Sequence, residues 1–334
     1  MNMREIAKRA GVSTATVSRV LNGNPKVNPE LRDIVNKVIQ EVNYVPNAIA
    51  RSMNHGTTSI LGLILPDITN PFFPGIARGV EDAAISKGYK VILCNTDNHA
   101  DTEKTYLRML REQRVDGLIL VSASNMSEET MRQMIEDIPV VLCDRIPESK
   151  HFSSVVTDHR KGIKMAVDHL VGLGHREIAM ISGPKTLISG IERANYFRDI
   201  MAEAGLPCPE QRVVPCDYRY ESGFIAANQL LKDKAITAIL CANDMMALGA
   251  MDAVFESGLQ VPDDISVVGY DNIPFSNWSR PRLTTVSQPT YLLGVNALEI
   301  LADALASSET DKQQVQRMLN PTLIVRKSSA MVKR

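Results

Sequence analysis

The chain has 334 residues, 44% hydrophobic and 22% charged, which is enough for two or three domains with substantial buried cores. No apolar run reaches the length of a membrane span and the basic start lacks the apolar stretch of a signal peptide, so a cytoplasmic protein is expected and a membrane protein is not. The net charge of −1 hides an asymmetry: residues 1–58 hold eight Lys/Arg against four Asp/Glu, and the remainder holds 29 against 34, a basic end on an acidic body.

Two short helical patterns come first, joined across Gly11-Val12-Ser13. Ile6, Ala7 and Ala10 give the first a narrow apolar face; Gly11 suits a left-handed helix end, and Ser13 can cap the second helix. Val17, Val20 and Leu21 face inward on that second helix, leaving Thr14, Ala15, Thr16, Ser18, Arg19 and Asn22 outward. Small and polar groups with one arginine, able to bond guanine through two donors, suit a helix that enters the major groove of DNA. The bland alternative is a helical hairpin with a solvated face. Asn28-Pro29-Glu30 then starts a third helix, with Leu31, Ile34, Val38 and Val42 expected on its inner face.

From residue 59 onward, short apolar runs alternate with longer amphipathic stretches. The runs are 59–65, 90–94, 117–121, 140–143, 178–181, 238–241 and 265–269; the helical stretches include 71–87, 101–114, 160–172, 190–204 and 244–257. Continuous apolar strands separated by helices predict parallel sheets covered on both faces, and roughly 270 residues favour two doubly wound subdomains. Such sheets bind ligands beyond the carboxyl ends of their strands. The polar residues there are Asp67 and Asn70, with Phe72 and Phe73 after them, Asp144, Arg145, Asn243, Asp244, Asp271 and Asn272; Arg193 and Gln288 can face the same cleft. Carboxylates, arginines, an amide and aromatic rings suit a polyol, with charged bonds to hydroxyls and an aromatic surface for the C–H faces. Singly, Asp144 and Arg145 could be a surface ion pair, Asn243 a helix cap, and one of the phenylalanines core. Trp278 could sit at a domain edge or in the cleft. The five cysteines and six histidines make no zinc pattern, no GxGxxG follows a strand, and no GxxxxGK[ST] occurs, so no metal, no cofactor and no enzyme activity is expected.

The stretch GVSTATVSRVLNGNPKVNPELRDIVNKVIQEVNYVPNAIARSM resembles the headpiece and hinge of the LacI family of bacterial transcription regulators. DITNPFF, LCDR, IERANYF, CDYRYESG, CANDMMALGA, GYDNIPF and SQPTYLLG resemble its ribose-binding branch. The resemblance implies an α/β fold: an N-terminal all-α helix-turn-helix headpiece plus a periplasmic-binding-protein-like core of two doubly wound parallel-sheet subdomains. The headpiece would be 1–46 and the hinge helix and linker 47–58. The core, 59–334, would divide into about 59–157 with 289–318, and about 158–288 with 319–330, ending in a strand near 323–326. Thr14, Ala15 and Arg19 would read bases; Ser13, Thr16, Ser18, Asn22, Tyr44 and Asn47 would touch phosphates. Met53 would be the wedge that two hinge helices push between central base pairs, where the family has leucine. Effector-binding positions carry over to Asn70, Phe72, Phe73, Asp144, Arg145, Arg193, Asn243, Asp271 and Gln288, with Tyr218 where that branch has phenylalanine. The expectation is a homodimeric repressor on a pseudopalindromic double-stranded operator, controlled by a small sugar, ribose or a related pentose; the family's tetramerising helix is not present at 328–334. A purine-responsive repressor, or a regulator answering to a phosphocarrier protein, is the alternative. In the purine branch an aromatic residue stands where this chain has Arg145.

Overall fold

A computed structural model describes residues 2–21, 24–42, 57–121, 126–135, 138–145, 151–307 and 314–333. The chain divides into two compact units, Met1–Thr58 and Ser59–Arg334. The first contains helices α1 (Met3–Ala10), α2 (Thr14–Leu21) and α3 (Pro29–Glu41). A capping box starts α1: the Asn2 side chain accepts from the Glu5 N–H, and the Glu5 carboxylate accepts from the Asn2 N–H, each at 3.0 Å. Gly11 ends α1 in the left-handed region, φ 67°.

Ile6, Ala7, Ala10, Val17, Val20, Val27, Val35 and Val38 form the core of this unit. Leu31 and Ile34, expected inside, are instead 38% and 46% exposed, and Val35 takes the inner position. The phase of the helix explains Ile34: Val35, Val38 and Val42 define the inner face, and Ile34 is turned about 100° from Val35. Leu21 is only partly buried.

Among its described residues the second unit contains two six-stranded sheets. In chain order its elements are β1 (Ile60–Leu65), α4 (Phe72–Ser86), β2 (Lys90–Asn95), α5 (Ala100–Glu112), β3 (Gly117–Leu120), α6 (Glu128–Ile135), β4 (Val140–Cys143), β5 (Ser153–Thr157), α7 (His159–Gly172), β6 (Ile178–Ser182), α8 (Ile188–Glu203), β7 (Val213–Pro215), α9 (Tyr220–Leu230), β8 (Ala238–Cys241), α10 (Asp244–Glu256), β9 (Ser266–Asp271), α11 (Pro274–Trp278), β10 (Thr284–Ser287), α12 (Thr290–Ala306), β11 (Gln316–Leu319) and β12 (Thr322–Ile324). The first sheet has order β11-β5-β4-β3-β1-β2 and is parallel throughout. The second has order β12-β10-β9-β8-β6-β7, with β12 antiparallel to β10. The chain passes between the sheets after β5, after β10 and between β11 and β12.

Every residue of β3, β4, β6 and β8 is buried, as parallel strands covered on both faces require. Four strands, β5, β7, β10 and β11, have no counterpart among the expected apolar runs. Their sequences SSVVT, VVP, TTVS and QRML are short or polar. The last strand is β12 at Thr322–Ile324, slightly before the stretch expected near 323–326. Cys94, Cys143 and Cys241 are buried, Cys208 and Cys216 partly so. Among the described residues no helix is long and apolar enough to cross a membrane.

Candidate functional site

In the N-terminal unit the Ser13 hydroxyl accepts from the Thr16 N–H at 3.1 Å and lies 2.9 Å from the Thr16 hydroxyl, starting α2 as a cap should. Burying Val17 and Val20 turns the opposite side of α2 outward: Ser13, Thr14, Ala15 and Arg19 are exposed, Thr16 and Ser18 half-buried. Asn22, Tyr44, Asn47 and Met53, and with them the expected hinge helix, lie outside the described residues.

In the second unit a cleft of about 1050 Å³ opens at the strand ends of both sheets. Asn70, Phe73, Asp144 and Arg145 line it from the first sheet, and Tyr218 from the second. Asn70 also accepts from the Phe72 N–H at 3.1 Å, fixing the start of α4. That turn divides the two rings: Phe72 packs into the core beneath β1, whereas Phe73 faces the cleft, 5.1 Å from it edge to face. The Arg145 guanidinium donates to the Met126 carbonyl at 3.2 Å.

Arg193, Asn243, Asp271 and Gln288 are not on the cleft wall. All four are buried and make the layer behind it. Asn243 caps α10 by accepting from the Met246 N–H at 2.9 Å, and its amide donates to the Tyr218 carbonyl at 2.8 Å. Its position is thus that of a cap, and it also holds Tyr218 in place. Arg193 donates to the Ala242 carbonyl at 2.6 Å, lies 4.4 Å over the Tyr270 ring, and is 3.9 Å from Asp271. Gln288 donates to Asp271 at 2.8 Å. Burial pushes the Asp271 carboxyl up to about 7, against the opposing pulls of Arg193 and Gln288. Burial works against the Arg193 charge too, but Tyr218 and Asp271 outweigh it and hold its pKa above the usual value.

Asp144, Tyr218 and Asp271 all adopt left-handed backbone, with φ 59°, 70° and 109°. Non-glycine residues do so at an energetic cost, and these three lie at or shortly after strand ends, two on the cleft wall and Asp271 behind it. Residues that the sequence did not single out also belong to this region, among them Glu192, on the wall, whose carboxyl burial pushes up, and His159, behind Asp144. Trp278 is 64% exposed against Phe275, away from the cleft lining.

The family model described as "Bacterial regulatory proteins, lacI family" matches residues 2–47. The one described as "Periplasmic binding proteins and sugar binding domain of LacI family" matches residues 58–323, most of the chain. This chain belongs to the LacI family. It is therefore a DNA-binding transcriptional regulator and not an enzyme. Among curated relatives, the HTH-type transcriptional repressor PurR of Vibrio atlanticus (strain LGP32) is 37% identical over 97% of both chains. That of Photorhabdus laumondii subsp. laumondii is 38% identical over 98% of this chain and 96% of its own. Among solved structures, the lac repressor dimer bound to operator and the anti-inducer ONPF matches with a TM-score of 0.90 and 30% identity, covering 99% of each chain. A LacI family regulator from Enterococcus faecium with bound ribose matches with a TM-score of 0.74 and 30% identity, over 82% of this chain and 100% of that one.

Proposed function

We propose that this LacI-family protein is a cytoplasmic, homodimeric repressor whose affinity for a pseudopalindromic operator is set by a small sugar in the cleft, ribose or a related pentose. The observation that carries the effector class is that the adjacent residues Asp144 and Arg145 both line the cleft that Phe73 also lines. A carboxylate accepts from hydroxyls, a guanidinium donates to them, and a ring covers the C–H face of the sugar. The bound ribose in the Enterococcus faecium relative supports this reading. Thr14, Ala15 and Arg19 on α2 read bases, and its cap Ser13 with Thr16 and Ser18 meets phosphates; Asn22, Tyr44, Asn47 and Met53 complete the DNA contacts. The exposed Phe275 and Trp278 give a second copy an apolar surface to cover, which supports the dimer.

A second reading, a purine-responsive repressor, is favoured by the PurR relatives at 37–38% identity over nearly the whole chain. A thermal-shift screen with pentoses, hexoses, their phosphates and purine bases separates the two. A ligand at 100 times its Kd stabilises by about 2.7 kcal/mol. Stabilisation by a pentose and not by purines supports the sugar reading, and the reverse pattern replaces it with the purine reading.

A further inference from the structure

Asp144 lines the cleft, yet its Oδ1 is buried with no hydrogen-bond partner among the described residues. Facing that oxygen at 3.5 Å is Nε2 of His159, the first residue of α7, which the chain reaches only after leaving the first sheet. The imidazole is buried, and its Nδ1 lies 3.0 Å from the Tyr270 hydroxyl. We propose that His159 is a positioning residue for the effector: neutral and protonated on Nε2, it holds the inner oxygen of Asp144 so that the rest of the carboxylate faces the ligand. This inference rests on the cleft being the effector site.

The tautomer follows from the surroundings. A carboxylate oxygen repels a nitrogen lone pair and attracts an N–H, so the proton belongs on Nε2. Nδ1 is then an acceptor, and the Tyr270 hydroxyl donates to it. The doubly protonated ring is disfavoured, because burial and the nearby Arg193 guanidinium lower the His159 pKa against the opposing pulls of Asp144 and Asp158. Tyr270 in turn stacks on Arg193, which faces Asp271. One imidazole thereby joins a cleft carboxylate on the first sheet to the charged layer behind the second. The 3.5 Å separation is longer than a formed N–H···O bond, at about 2.7–3.2 Å. At that separation the attraction is a longer N–H···O contact between a dipole and a carboxylate, and it still favours the proton on Nε2.

Two measurements on the full chain test this. Imidazole ¹⁵N shifts in the ligand-free protein, with the His159 signal assigned by its loss in His159→Gln, read the tautomer directly. Nε2–H is expected; Nδ1–H overturns the proposal. Calorimetry with D-ribose then compares His159→Gln, which keeps a donor at that reach, with His159→Phe, which keeps the bulk alone. The glutamine variant should stay within about threefold of the unmodified protein and the phenylalanine variant should lose about tenfold or more, the effect of stranding a buried acceptor. Equal loss in both means that His159 only fills space, and the proposal fails. No heat from D-ribose with the unmodified protein counts against the sugar reading alone. The tautomer measurement needs no ligand and can still overturn the proposal, and the same variants titrated with hypoxanthine then decide it by the same comparison.

Discussion

Arg19 stands exposed on α2, where a guanidinium can reach a guanine edge with two donors. Arg19→Ala should weaken binding to a selected operator by about 1–3 kcal/mol and relax the preference at one base pair, leaving effector affinity unchanged. Fluorescence anisotropy on specific and random duplexes checks this, and equal loss on both would assign Arg19 to phosphate contact. Asp271 makes a separate, DNA-independent prediction. Its folded pKa of about 7 exceeds the unfolded value of about 3.9, so the folded state holds the extra proton between them. The group therefore contributes stability that is full below about pH 4 and lost as pH rises to about 7. Asparagine cannot ionise, so the Tm of Asp271→Asn relative to the unmodified protein should climb between those limits and level off above them. A gap independent of pH would show that the carboxyl is not raised.

Helix α4 crosses α12 at glycines placed against backbone. A Cβ on Gly79 would come 2.1 Å from the Tyr291 carbonyl oxygen, and one on Gly294 would come 2.1 Å from that of Ile76. Because backbone cannot swing aside as a side chain can, Gly79→Ala should cost about 1–3 kcal/mol or more in urea unfolding. Gly172→Ala, at the end of α7 with nothing within 4 Å of the new atom, is the control and should be neutral or stabilising by up to about 1 kcal/mol. Equal effects at the two sites would rule out close helix approach as the cause. The same elements show what periodicity can convey. β1, β3, β4, β6 and β8 are near-continuous apolar runs and were legible because both their faces are covered. β7 and β11 were not, since a three- or four-residue edge strand such as Gln316–Leu319 carries little apolar signal. Strand ends were legible as sites, but depth was not. Asp144 and Asp271 both close apolar runs, yet one lines the cleft and the other lies behind it. That difference is set by packing from distant parts of the chain. His159 had no motif at all and is visible only through its contacts with Asp144 and Tyr270.

In the proposed regulator, an effector bound in the cleft alters operator affinity through a coupling free energy. Such coupling is reciprocal, so operator DNA must change effector affinity by the same factor as effector changes operator affinity. An operator titration tests control by a sugar directly. Duplexes selected from a random pool by the full-length protein are titrated with it alone, with saturating D-ribose or another pentose, and with saturating hypoxanthine. A pentose should shift operator Kd about tenfold or more, a coupling of about 1.4 kcal/mol, while hypoxanthine leaves it unchanged. A shift with hypoxanthine and none with any pentose would contradict sugar control.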